Sequence, residues 1–178
     1  LQADRSRLCI VPMAVAYDLV LEDRMLARQA LTRRHRAFAQ EVAEMVRHAV
    51  GYRARAFVTF GAPIPLADYD PDSRRGLVTL VHRVHDEIGR LHKVLPTALV
   101  AALLRPRMTR DELAGRIDEW LVTLSAGGAN LAVATGQQAV DEGVELLAER
   151  GVIVSTAVGL RVKDRLALRY YGRTIAHL

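Results

Sequence analysis

The chain is poor in cysteine, aromatic residues and long apolar runs, and each shortage removes a class of protein. A single cysteine, Cys9, excludes an internal disulfide framework and a cysteine-built metal cluster. At the head of an apolar run, Cys9 is expected as a buried thiol in a reducing compartment. Aromatics make up 5% of the 178 residues while hydrophobic residues reach 51%, so small aliphatic side chains must fill the core. That suits closely packed helices. No apolar stretch reaches the roughly 20 residues of a bilayer-spanning helix. The longest, VLPTALVAALL from Val94, lies between Lys93 and Arg105, and Pro96 is placed to start a helix there. The opening residues LQADRSR are charged and polar, unlike a signal peptide. Lysine is scarce too: the five-charge excess of cations over anions is carried almost wholly by arginine. That excess favours anionic partners (phosphate, nucleic acid or an anionic membrane face) without choosing among them, and it also describes an ordinary Arg-rich surface.

What is present alternates between apolar runs and helical periods. Residues 8–17 read as one buried strand containing Pro12, which a central strand would reject because proline has no N–H for the ladder. Pro12 therefore marks a strand entrance or a point where backbone shape outweighs pairing. From about Arg24 to Val50, Leu31, Phe38, Val42, Met45, Val46 and Ala49 recur at helical spacing, with Arg28, Arg33, Arg34, Arg36 and Arg47 on the other face. That arginine stripe is a solvated surface or a contact for phosphate or lipid headgroups. RARAFVTF alternates as a second strand to Phe60, and GAPIPLADYDP is a proline-rich loop. Asp70 and Pro71 are expected to start a helix whose apolar stripe is Leu77, Val81, Val84, Ile88 and Leu91. Further helices are expected over 96–105, from the capping box Thr109–Glu112 to Leu124, and over 135–150. SAGGANLAVATG reads as a loop, GVIVS as a short strand, and KDRLALRYYGRTIAHL as a final helix.

Strand, helix, strand and then mostly helices suggest an α/β piece, the last βαβ of a larger parallel sheet, followed by a helical region. The sequence reads as a piece of a longer chain.

The chemistry is sparse. No His-x4-Asp spacing, G-x-S-x-G or phosphate-cradling glycine loop occurs. GGAN at Gly127 follows a helix rather than a strand. His82 has Glu87 five positions on, which mid-helix do not share a face. His82 and His85 could form half of a metal site but lack a third ligand at a suitable spacing. Asp18, Glu22 and Asp23 read as acids at a helix start, with a catalytic carboxylate as the other reading.

Four stretches, in order, resemble the bacterial glycerol-3-phosphate acyltransferases. IVPMAVAYDLVLED is similar to the family's fourth conserved block through Pro12, Tyr17, Asp18 and Glu22, with Asp18 where the family typically has Glu. FVTFGAPIPL resembles an aromatic–Gly–x–Pro segment through Phe60, Gly61 and Pro63. TALVAALLRPRMTRDEL resembles a later segment through Thr97, Ala98, Leu99, Thr109, Arg110 and Leu113. RYYGRTIAHL resembles the C-terminal Tyr-Tyr-x-Asn-x-Ile-Ala-His through Tyr170, Tyr171, Ile175, Ala176 and His177, with Arg173 in place of Asn. The resemblance covers most of the chain and is weak over 67–92 and 125–139.

The resemblance implies that residues 1–68 end an acyltransferase α/β domain and that 69–178 form a helical C-terminal region. It implies that Pro12, Tyr17 and Glu22 shape a substrate pocket and that Tyr170, Tyr171 and His177 belong to the family's terminal motif. The parent protein would transfer a fatty acyl group from acyl-CoA or acyl-carrier protein to glycerol 3-phosphate, without a cofactor. It would work peripherally at an anionic membrane surface, on the cytoplasmic face of the cell membrane. The family's catalytic His-x4-Asp and main phosphate site would precede Leu1, so the present chain is expected to be inactive alone. A rival reading takes 109–168 as a winged-helix-like module that binds nucleic acid or protein and has no catalytic activity. The acidic row Asp141, Glu142, Glu145 and Glu149 argues against nucleic acid as its partner.

Overall fold

The computed structural model describes residues 7–20, Asp23, Leu26, 54–70 and 72–178. The helix read over 24–50 lies, apart from Leu26, outside them. The fold is mixed α/β. Strands β1 (Cys9–Ile10), β2 (Met13–Tyr17), β3 (Ala56–Phe60) and β4 (Ile64–Pro65) come first, followed by a short 3₁₀ turn at Leu66–Asp68. Next are α1 (Arg74–Leu91), β5 (Lys93–Val94), α2 (Pro96–Leu103) and α3 (Arg110–Ala126). Then come β6 (Asn130–Leu131), α4 (Gly136–Glu149), the strands β7 (Ile153–Thr156) and β8 (Gly159–Val162), and α5 (Arg165–Arg173). Among the described residues no helix is long and apolar enough to cross a membrane.

The expected single buried strand is two strands, and Pro12 is the reason. β1 pairs antiparallel with β4 and β2 antiparallel with β3. Pro12 sits between them, buried, and its carbonyl accepts from the Gly61 N–H at 2.8 Å. Two residues, 11 and 12, face three, 61–63, so the partner strand carries one extra residue there. Such a bulge bends a ribbon, and a proline costs nothing at a position where only a carbonyl is wanted. Burial alternates along β2 instead of being continuous, because only one face of the ribbon is covered. Cys9, expected buried, is exposed for the same reason: it points off the open face while Ile10 turns inward.

The βαβ expectation is corrected. β2 and β3 are direct antiparallel neighbours with Tyr17 opposite Ala56, so the connection between them leaves and returns at the same end of the ribbon. A crossover helix would have delivered parallel strands. The one parallel pairing described, β5 with β6, joins other segments.

The core is helical. α2 is apolar on all sides, and Pro96 to Ala101 are all buried, as a central helix requires. α3, α4 and α5 pack around it. The approach of α4 is close: a Cβ on Gly143 would stand 2.6 Å from the Pro96 carbonyl oxygen and 2.8 Å from a Val100 methyl. Leu19, just after β2, belongs to the same apolar cluster as Leu99, Ile117, Val140 and Ile175. The first segment is therefore built into the core of the second.

Helix ends follow local chemistry. Thr109 and Glu112 form the capping box, each bonding the other's backbone N–H. Thr135 caps α4 and Asp164 caps α5. α1 starts later than expected: Ser73 accepts from the Gly76 N–H, while Asp70 accepts from Asp72 in a turn ahead of the helix. GGAN ends a helix, with Gly128 at φ 75° and the Ala129 N–H returning to the Leu124 carbonyl at 2.9 Å.

Candidate functional site

The segment after β2 carries two buried aspartates, and the last helix meets it at the second, Asp23. Asp18 is 1% exposed and accepts three hydrogen bonds, from the Leu19 N–H, the Arg55 N–H and the Arg55 Nε–H, each at 2.8 Å. Arg55 reaches on to Glu142 of α4 at 3.3 Å and lies over the Phe57 ring. The hydrogen bond to Asp18 raises the guanidinium pKa above its usual value, against a smaller opposing effect of burial. Asp18 thus ties the two strand ends, and Arg55 ties both to α4.

Asp23 is fully buried. Arg150, at the end of α4, grips it through two donors, Nε at 2.9 Å and a terminal nitrogen at 2.6 Å. The Tyr171 hydroxyl donates to Asp23 Oδ2 at 2.7 Å and accepts from the Val20 N–H at 3.2 Å. Its ring is 2% exposed and meets Tyr170 edge-on at 5.4 Å. A buried carboxylate is tolerated when a paired guanidinium and further donors replace its water. Asp23 is a helical residue and Asp18 precedes it, but neither is solvated, and each is committed to fixed partners.

The residues singled out from sequence divide. Tyr171 joins the Asp23 cluster. Pro12 stands at the ribbon bend, where the space beside Gly61 is filled by Pro12 and Leu91; a Cβ there would come within 2.9 Å of a Leu91 methyl. Tyr17 is 52% exposed on the open ribbon face, and Glu22 lies outside the described residues. Tyr170 is half-buried beside Tyr171. His177 lies away from the aspartates, with Nε2 3.2 Å from the Gly89 carbonyl of α1 and its ring edge-on to His92 at 5.7 Å. Burial, then the charge of His177, holds the His92 imidazole below its usual pKa. Of the C-terminal segments, Thr97, Ala98 and Leu99 are buried in α2, and Leu113 and Ile175 in the core.

His82 and Glu87 do not pair; Glu87 binds Arg83 at 3.0 Å and Arg90 at 3.5 Å. Among the described residues no group of three or more His, Cys, Asp or Glu is arranged to hold a metal. The sequence reading missed Arg55 and Arg150, whose partners lie 37 and 127 residues away. It also missed Asn130, whose amide donates to the Leu91 carbonyl at 2.9 Å and to the Thr59 hydroxyl at 3.3 Å, while its oxygen accepts from Lys93. No local pattern marks these residues.

No known family model matches the chain, and no curated protein matches it.

Proposed function

We propose that the chain is the C-terminal part of a glycerol-3-phosphate 1-O-acyltransferase. The observation that carries the reading is the contact between the ends of the chain: the stretch resembling the family's fourth block, residues 10–23, and the stretch resembling its terminal motif, 169–178, share the Asp23–Tyr171 hydrogen bond. Two segments that the resemblance places in one family stand together in space. In this reading the chain supplies support and not chemistry. A histidine upstream of Leu1, oriented by an aspartate, takes the proton of the glycerol 3-phosphate hydroxyl. The oxygen attacks the thioester carbonyl, the C–S bond breaks, and the proton passes to the leaving thiolate. Pro12 and the ribbon shape the wall beside that site, and the cationic excess favours a peripheral position on an anionic membrane.

Acyl transfer from labelled acyl-CoA to glycerol 3-phosphate tests the reading on two proteins, the product of the whole gene and the 178-residue chain. Activity in the first and none in the second is expected. No activity in the first, or a coding sequence with no His-x4-Asp upstream of Leu1, sinks it. The rival module reading draws on the order α3, α4 and the β7–β8 hairpin; the acidic side chains of α4, two of them engaged by Arg55 and Arg110, favour a protein over a nucleic acid as its partner.

A further inference from the structure

α1 is an 18-residue amphipathic helix with no fully buried side chain. On its apolar side Leu80, Val84 and Leu91 are half-covered, with α1 resting on β2, while Leu77, Val81 and Ile88 are 47%, 62% and 40% exposed. The stripe Leu77, Val81, Val84, Ile88, Leu91 is spaced four, three, four, three. That is the a/d seam of a coiled coil, with β-branched Val81 and Ile88 at a, and it is narrower than the face of a helix that lies on a protein core.

The seam is symmetric about its own middle. Reversing the helix exchanges Leu77 with Ile88 and Val81 with Val84, and sets Arg74 against the last turn, where Leu91 is already packed beside Gly61 of its own chain. A parallel pairing would set Arg74 against Arg74 in the seam, which repels. An antiparallel pairing sets each Arg74 beside the last turn of the other helix, where free carbonyls carry the negative end of the dipole. A two-fold interface needs such self-complementarity. A bilayer fits less well: residues 74–91 contain no aromatic anchor, and Arg83 and Arg90 are both engaged by Glu87.

We infer that α1 is a homodimerisation helix that pairs antiparallel with α1 of a second copy of this chain. This stands apart from the acyl-transfer reading. The helix is about 27 Å long, so the contact falls at the low end of specific interfaces and the dimer depends on concentration.

Sedimentation of the 178-residue chain across a concentration series tests it. A monomer–dimer equilibrium is expected. Val81→Glu should weaken it at least about tenfold, since each copy would bury a charge in the seam. Val122→Glu, at a 72%-exposed site on α3, should leave it unchanged. Orientation is read in a Cys9→Ser background: Leu77→Cys mixed with Ile88→Cys should form an oxidised cross-link, and neither alone should, because identical positions lie about 16 Å apart along the axis. A monomer up to roughly millimolar concentration, a dimer indifferent to Val81→Glu, or cross-linking of each single-cysteine protein with itself overturns the proposal.

Discussion

The Tyr171 hydroxyl and the Asp23 carboxylate, 148 residues apart, share a hydrogen bond of 2.7 Å in the interior of the protein. The same hydroxyl accepts from the Val20 N–H, so one oxygen holds both a side chain and the backbone of the segment after β2. Tyr171→Phe keeps the ring packing and removes both bonds. A loss of about 1–3 kcal/mol is expected, because the Val20 N–H is left without that acceptor and Asp23 without one of its donors. Equilibrium urea unfolding measures it; a change under half a kcal/mol would show that the contact carries no weight.

Arg150→Met tests the charge partner. The Arg150 side chain is 9% exposed, so its removal takes a guanidinium from a carboxylate that water barely reaches. The expected cost is about 3–5 kcal/mol. Asp23→Asn combined with Arg150→Met should recover part of it, because the buried carboxylate and the guanidinium that grips it are removed together. A double-mutant cycle reads the coupling, and additive losses would contradict it.

His92 gives a pH dependence of known sign. Its folded pKa lies below the ordinary 6.5 because burial and His177 disfavour the charged ring. In the window beneath that value the unfolded chain binds the proton more readily than the folded one. This contribution to stability is therefore complete above about pH 6.5 and is lost as pH falls toward the folded pKa. His92→Gln should flatten the acid limb of the stability–pH curve between about pH 7 and 5. An unchanged slope would mean that other groups set it.

Gly143→Ala addresses the α2–α4 contact. The added methyl meets the backbone of Pro96 at 2.6 Å and has no flexible neighbour to displace. Alanine suits a helix interior better than glycine by up to about 1 kcal/mol, yet overpacking costs about 1–3 kcal/mol. The clash should win and lower the midpoint of thermal unfolding. A stabilised variant would mean that the helices separate freely.

Local signals in the sequence were reliable where the physics is local. The Thr109–Glu112 box, Pro96 at a helix start, and the helices that became α2, α3 and α4 follow from caps and periods of a few residues. β8 was missed because GLRV has no strand pattern of its own and forms only against β7. The orientation of β2 and β3 could not be read, since antiparallel and parallel partners present the same alternation. Of the candidate site, Tyr171 was marked by resemblance, whereas Arg55 and Arg150 look like any surface arginine until Asp18 and Asp23 are seen to be buried. The α1 stripe was legible as apolar, but periodicity does not say whether the cover comes from this chain or another.

The reach of the Asp23–Tyr171 contact also bears on synthesis. Leu19 and Asp23 find their core partners Tyr171 and Ile175 only when those residues leave the ribosome. At about 5–20 residues per second, the 148 residues that separate Asp23 from Tyr171 take roughly seven to thirty seconds to be made. The interior therefore closes late, and a nascent chain stalled before α5 would hold the ribbon against α1, α2 and α4 without the Tyr171 hydroxyl that ties down the segment after β2. Chaperone dependence should concentrate in that interval.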